Sequence, residues 1–251
     1  MRHCDQDEPC TAKMSLILAT RADFASIHKT VQHLRAQTIH QQLELVIVTV
    51  SAEQFRLEEA ELAAFAAFQL VGIGQFRSKA EANAAGARQA RAPIVVFAED
   101  HCFPEPQWAE ALLRRHAEPW AAVGPVLSNA NPRTTLSWCD FVVNYAPWID
   151  PAPAGPATFL PGHNVSYKRD LLRQFDDRLE DLLEVETVFH EQLLRQGHQL
   201  YLEPGAKVTH VNFSRLIPWV QVLFHGGRIY AAMRAENWSF ARRLSYGGRF
   251  P

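Results

Sequence analysis

The segment Ile94-Val95-Val96-Phe97-Ala98-Glu99-Asp100-His101 constrains this chain more than any other. An apolar run, mostly β-branched or aromatic, follows Pro93 and stops at three ionisable groups. A short continuous apolar run of this kind is the pattern of a strand buried on both faces, as in a parallel sheet. In open α/β sheets, ligands bind just beyond the carboxyl ends of such strands. Acids placed there can hold a cation, a sugar hydroxyl or, through a cation, a phosphate. The plainer alternative is that Glu99 and Asp100 open the next helix, ahead of Pro106. Three adjacent ionisable groups are costly to bring against a buried strand, which favours the site.

The chain before this segment repeats its theme. Residues 14–20 (MSLILAT), 43–50 (LELVIVTV), 70–73 and, beyond it, 120–127 read as further strands. Asp23 caps a helix that places Phe24, Ile27, Val31 and Leu34 on one face. Ser51 with Gln54, and Ser78 with Glu81, form capping boxes for two Ala-rich helices. Glu105-Pro106 opens a helix carrying Trp108, Leu112 and Leu113. Strand and helix alternate throughout, which predicts a doubly wound, right-handed parallel sheet flanked by helices. Thr20-Arg21-Ala22-Asp23 stands where a dinucleotide-binding domain would carry Gly-x-Gly-x-x-Gly, and no P-loop motif occurs. Both nucleotide-binding classes are thereby excluded.

The second half changes character. Residues 134–145 read as a helix. Pro147, Pro151, Pro153, Gly155 and Pro156 predict an irregular loop. Pro161-Gly162-His163-Asn164 reads as a tight turn, with Gly162 driving it and Asn164 bonding its own backbone. Residues 181–196 form a helix closed by Gly197, and 199–203 and 207–211 are short strands. Residues 213–251 contain six Arg, no Lys and one acid, Glu236, interleaved with Leu216, Ile217, Trp219, Phe224 and Phe240. This predicts a basic amphipathic helical pair that packs on the domain, lies on an anionic membrane surface or binds a partner.

At 251 residues the chain suits one large α/β domain with a small appendage. Its net charge of -2 gives no field that recruits nucleic acid. Cys4, Cys10, Cys102 and Cys139 form no Cys-x-x-Cys pair, which argues against a zinc ribbon or disulfide scaffold and fits a reducing compartment. Residues 1–13 are polar and are expected to be a loose tail without a secretory signal. No apolar run is long enough to span a membrane. The chain ends on Phe250-Pro251 with no polar tail, which suggests that the natural protein continues.

Four pieces, in order, resemble the family 2 glycosyltransferases and together span most of residues 14–211. The first is MSLILAT with a helix ending at Gln37-Thr38. The second is Phe97-Ala98-Glu99-Asp100-His101-Cys102-Phe103-Pro104, similar to the family's aspartate-rich segment ahead of a proline. The third is Pro161-Gly162-His163-Asn164 running to Lys168-Arg169, similar to its Gly-x-Asn turn before a basic pair. The fourth runs from Glu184-Val185-Glu186 to Gly197, then Leu202-Glu203-Pro204 and Val208-Thr209-His210. The chain departs from the family in three places. Glu99-Asp100-His101 replaces Asp-x-Asp, Val50-Ser51-Ala52-Glu53 lacks the usual acid after the second strand, and only Glu186 remains of the later acidic pair.

The resemblance implies a GT-A fold, with residues 14–127 binding a nucleotide-sugar, 128–211 forming the acceptor-binding half of the same domain, and 212–251 a helical extension. It implies transfer of a sugar from a UDP- or GDP-sugar to an acceptor hydroxyl, with inversion, in cell-surface or lipid-linked glycan synthesis. Thr20, Arg21, Glu53, Lys79, Glu99 and Asp100 are expected at the donor, Thr20 and Arg21 near the base. Gly162, His163 and Asn164 are expected at the donor sugar or acceptor. Asp100, His101 and His210 are expected to hold a divalent cation, Mn2+ or Mg2+, and imidazole ligands suit the former better. Glu186 is the expected base, with His190 one turn on and able to tune it. Either imidazole can instead be a core residue, and Glu186 with His190 a surface pair. Trp138 and Trp148 can stack on a sugar or simply pack. The expected setting is cytoplasmic, at the inner face of a membrane touched by residues 213–246. A catalytically silent nucleotide- or glycan-binding relative is the alternative. A nucleotidyltransferase would want a Gly- and Lys/Arg-rich loop after the first strand, which is missing.

Overall fold

The computed structural model describes residues 11–247 except Glu58 and Asn237. Residues 1–10 of the expected tail and the Phe250-Pro251 end lie outside the described residues. Within the tail, Ala12 is buried and the Lys13 N–H donates to Gln42 O, so its last residues are tied down.

The elements run β1 (Met14–Ala19), α1 (Phe24–Arg35), β2 (Leu43–Thr49), α2 (Glu59–Leu62), β3 (Ala67–Gly72), α3 (Lys79–Gln89), β4 (Ile94–Ala98), β5 (Cys102–Pro104), α4 (Trp108–His116) and β6 (Ala122–Asn129). Then come α5 (Thr135–Tyr145), β7 (Gly155–Ala157), β8 (Ser166–Lys168), α6 (Arg169–Arg173), α7 (Leu179–Glu184), α8 (Glu186–Arg195), β9 (Leu200–His210), α9 (Leu216–Arg234) and α10 (Phe240–Gly247). One sheet carries all strands in the order β3-β2-β1-β4-β8-β6-β9-β5, with β7 also on β9. β3, β2, β1 and β4 are mutually parallel, as are β6 and β9. β8 is inserted antiparallel between β4 and β6, so the expected fifth parallel strand is not β4's neighbour.

The apolar faces of β1, β2 and β4 are fully covered by helices, which is why their sequences are continuous apolar runs rather than alternating ones. Gly86 lets α3 approach the sheet. A Cβ there would lie 2.4 Å from Ile17 Cγ2. That close seat fixes Lys79, the first residue of α3, near the end of β4.

Several local expectations change. Ser51 and Gln54 open no helix; a turn leads to the four-residue α2. The helix expected over 181–196 is two, broken at Val185 with φ -142° and ψ 88°. The two strands expected over 199–211 are one, β9, continuous past Pro204-Gly205 where its pairing with β6 shifts register. The Pro-rich loop still finds a three-residue edge strand, β7. Beyond the sheet, α9 touches α8 but has no fully buried residue, so most of its surface is left uncovered by the domain. No helix among the described residues is long and apolar enough to cross a membrane.

Candidate active site

β4 delivers Glu99, Asp100 and His101 to the carboxyl edge of the sheet, where a turn leads into β5. Thr30 of α1 pins that turn by donating to the carbonyls of Glu99 and Asp100 at 3.3 and 2.9 Å. β5 then pairs with β9 so that Cys102 faces His210 in register. The Gly-containing turn returns opposite them, and the Asn164 N–H donates to Phe97 O at 2.7 Å.

Glu99, not Asp100, is the hub. Its Oε1 accepts from Lys79 Nζ at 2.7 Å. Its Oε2 lies 3.3 Å from Cys102 Sγ and 3.7 Å from both His163 Nδ1 and His210 Nε2. Burial works against the Glu99 charge, but the Lys79 ammonium at 2.7 Å and the ring of imidazoles around it outweigh burial and leave the carboxyl well below its usual range. Lys79 is likewise disfavoured by burial and held charged by Glu99. His163 is driven down to about 3 by burial, so it is neutral. Burial also raises the Cys102 thiol, Glu99 adding to the effect.

Asp100 turns aside. It accepts from His101 Nδ1 at 2.7 Å, and both side chains are exposed by about two fifths (38% and 43%). The expected cation ligands are therefore redistributed. Glu99, Cys102, His163 and His210 place one donor atom each within 4.8 Å of one another; His101 borders them, its Nε2 3.4 Å from Glu99 Oε2, while Asp100 stands at the solvent side. His210 keeps its expected place, and His163, expected at a sugar, joins it with the rings stacked 4.9 Å apart.

Glu186 begins α8 just after the break at Val185. It shares a 150 Å³ cavity with Lys79, Asn83, Glu99, Gly162 and His163. Gly162 leaves room for the Glu186 carboxylate in its present rotamer, since a Cβ there would meet Glu186 Oε2 at 2.8 Å and push it aside. Burial of the Glu186 carboxyl raises it to about 8. Two buried polar atoms lining this cavity's residues, Asn83 Oδ1 and His163 Nε2, have no partner. The expected coupling of Glu186 to His190 is absent. His190 accepts from the Leu160 N–H at 3.3 Å and bonds the Tyr167 hydroxyl at 2.8 Å; both ring nitrogens are used inside the core.

The turn's left-handed residue is Asn164, at φ 56°, rather than Gly162. Asn tolerates that conformation, whereas a β-branched residue does not. Asn164→Val is expected to destabilise the fold by about 1–3 kcal/mol, with Asn164→Gly nearer wild type, measured by urea unfolding.

A second hollow of 710 Å³ opens over the same cluster. Lys79, Glu99, His101, Tyr145 and His210 line it on one side and Arg215, Pro218 and Val222, at the start of the C-terminal helices, on the other. Lys79 and Glu99 thus border both spaces. A third hollow, of 450 Å³, lies past β1 and β2 and is lined by Arg21, Asp23, Thr49, Ser51 and Arg56 among others. Arg21 is exposed there, donating to Arg77 O at 3.1 Å and resting on the Phe76 ring. Thr20 is buried and accepts from the Ala22 N–H, fixing the turn. Glu53 is exposed and is not part of this lining. Trp138 is exposed, and Trp148 is buried with its indole N–H donating to Phe159 O.

Sequence reasoning missed Cys102, Asn83 and Tyr145. A lone Cys in an apolar segment reads as a small hydrophobe. Asn83 carried a signal, as the one amide in the Ala-rich stretch before Gly86.

This architecture is the GT-A glycosyltransferase fold. It matches the crystal structure of S. aureus TarS 1–349 with a TM-score of 0.58 at 13% identity, covering 92% of this chain and 73% of that one. GalNAc-T7 with UDP, GalNAc and Mn2+ matches with a TM-score of 0.58 at 12% identity, over 93% of this chain and 52% of that one. No curated protein matches the sequence. The profile of glycosyl transferase family 2 covers residues 15–175, and the chain belongs to that family.

Proposed function

We propose that this glycosyltransferase moves a sugar from a UDP- or GDP-sugar to an acceptor hydroxyl with inversion. The observation that carries the reading is Glu186, raised to about 8 and sharing one cavity with the Lys79–Glu99 pair. A base poised near neutral pH is suited to proton transfer. In the reaction, the acceptor oxygen attacks the anomeric carbon as Glu186 takes its proton. The bond from the anomeric carbon to the diphosphate breaks, and the diphosphate leaves with the electron pair. The Lys79 ammonium lies at the positive end of α3 and offsets the charge of that leaving group. His163 Nε2–H and Asn83 Oδ1 offer an unfilled donor and acceptor for sugar hydroxyls. Arg21 and Thr20, beside the third hollow, serve the nucleotide.

A divalent cation fits the residues present. Glu99 and His210 would hold it, and when bound it would supply further positive charge to the diphosphate. GalNAc-T7, a structural neighbour, is described with UDP and Mn2+, which makes UDP-sugars the first donors to test. Release of UDP or GDP from a panel of their sugars should be detectable with the wild-type chain and lost in Lys79→Ala. Binding of those sugars without any release would instead favour the silent relative that the Glu99-Asp100-His101 departure allows.

The acceptor reading extends to a lipid-linked or cell-surface glycan made at the cytoplasmic face. Its support is α9 and α10, where Ile217 is 71% and Phe240 77% exposed beside Arg228, Arg234, Arg242 and Arg243. Exposed apolar groups among arginines match an anionic lipid surface. The chain is expected to co-sediment with vesicles containing phosphatidylserine and not with neutral ones, and Ile217→Glu with Phe240→Glu should abolish this. Equal recovery on both vesicles would remove the membrane contact.

A further inference from the structure

We propose that the cation site is thiophilic: a zinc-class ion is held by Glu99, Cys102, His163 and His210, with Cys102 as a thiolate ligand. The proposal concerns the same site and rests on the reading above only for what the ion is used for.

The first argument is spacing. A tetrahedral ion with bonds of about 2.0–2.3 Å separates its ligand atoms by roughly 3.3–3.8 Å. Here Cys102 Sγ is 3.3 Å from Glu99 Oε2 and 3.6 Å from His163 Nδ1. Glu99 Oε2 is 3.7 Å from both His163 Nδ1 and His210 Nε2. Four of the six donor pairs already stand at ligand spacing, and all six lie within 4.8 Å.

The second argument is orientation. The ring N–H of His210 at Nδ1 donates to Asn212 Oδ1 at 2.9 Å, which leaves Nε2 unprotonated, 3.7 Å from Glu99 Oε2 and accepting from the Tyr145 hydroxyl at 3.1 Å, a bond the ion would replace. Asn212 is itself fixed, donating to Asn129 Oδ1 at 3.0 Å. Asn164 Nδ2 donates to His163 Nδ1 at 3.0 Å, which makes Nδ1 the unprotonated nitrogen, and the amide turns aside when that lone pair takes the ion. The Asn212 contact of His210 is the outer-shell support that metal-binding imidazoles use. The Glu99 carboxylate divides its work: Oε1 is taken by Lys79, and Oε2 faces the other three ligands.

The third argument is donor chemistry. One thiol, two imidazoles and one carboxylate suit zinc-class ions far better than Mg2+, which prefers oxygen. Cys102, His163 and His210 are buried, so few competing waters reach the cluster. Binding converts Cys102–SH and the dication into a thiolate–metal bond and releases the proton to solvent.

The test uses the full chain, stripped with chelator and titrated with Co2+, with Cys4, Cys10 and Cys139 replaced by Ser in a parallel sample. Both samples should develop a sulfur-to-cobalt charge-transfer band at one equivalent, with Zn2+ displacing the cobalt. Cys102→Ser and Cys102→Ala should lose that band, and His163→Gln should weaken cobalt binding at least tenfold. Circular dichroism of each variant confirms that it is folded. No charge-transfer band with cobalt bound, or a band untouched by Cys102→Ser, overturns the proposal whatever the sugar assays give. A band that depends on Cys102 supports it even if no nucleotide-sugar is consumed, a result that would count against the sugar-transfer reading alone.

Discussion

Glu186→Gln is expected to slow sugar transfer by about 10²- to 10⁴-fold, the usual contribution of a positioned proton acceptor. The same variant should fold more stably at high pH. The Glu186 carboxyl lies near 4.5 when unfolded and is raised to about 8 in the fold. The folded chain therefore binds the extra proton between those values, and wild type loses stability as pH rises through that window. Gln cannot ionise, so the gap in melting temperature between variant and wild type should widen from about pH 5 to about pH 8 and then level. Wild-type kcat should rise over the upper part of the same window, as the base loses its proton. A variant that melts lower at every pH would show that Glu186 is a structural carboxylate. Retained transfer would remove it as the base.

Glu99→Gln is the second large effect. The amide keeps the shape but removes the charge that Lys79 faces at 2.7 Å. Stability should fall by about 1–3 kcal/mol, the cost of leaving a partly buried charged group unpaired. A larger loss is not expected, because Lys79 is 38% exposed and partly screened by solvent. Since the folded Glu99 carboxyl is held well below 4.5, its contribution is complete above that value and disappears as acid titrates the folded group. Asp100→Asn is the control. Asp100 only pairs with the half-exposed His101, so its stability change should stay within about 0.5 kcal/mol. Equal effects at both positions would contradict Glu99 as the hub.

The contrast between these neighbours shows what the sequence could carry. The apolar run of β4 and its abrupt acid end were legible because a doubly buried strand leaves no polar alternation. That placed the triplet at the sheet's carboxyl edge. Which of the three side chains turns inward depends on the turn that Thr30 ties and on where β5 goes, and a three-residue strand has no readable period. Cys102 meets His210 only through the β5–β9 register, a pairing more than a hundred residues apart in sequence. Similarly, β8 inserts between β4 and β6 with too few residues to show alternation. Glu186 was singled out through the family pattern, but its raised proton affinity comes from burial in the fold, which no local sequence pattern shows. His190 misled because its helical spacing from Glu186 was right, yet the core claimed both its nitrogens.

The account's central claim is that Glu99, at the end of β4, organises a pocket for an activated sugar. Thermal melting of the wild-type and Glu99→Gln chains with UDP and with GDP, each with and without Mn2+ or Zn2+, tests it most directly. The account predicts that one nucleotide with an ion raises the wild-type melting temperature and leaves Glu99→Gln unmoved from its own baseline. No shift with either nucleotide, or the same shift in both chains, would contradict it.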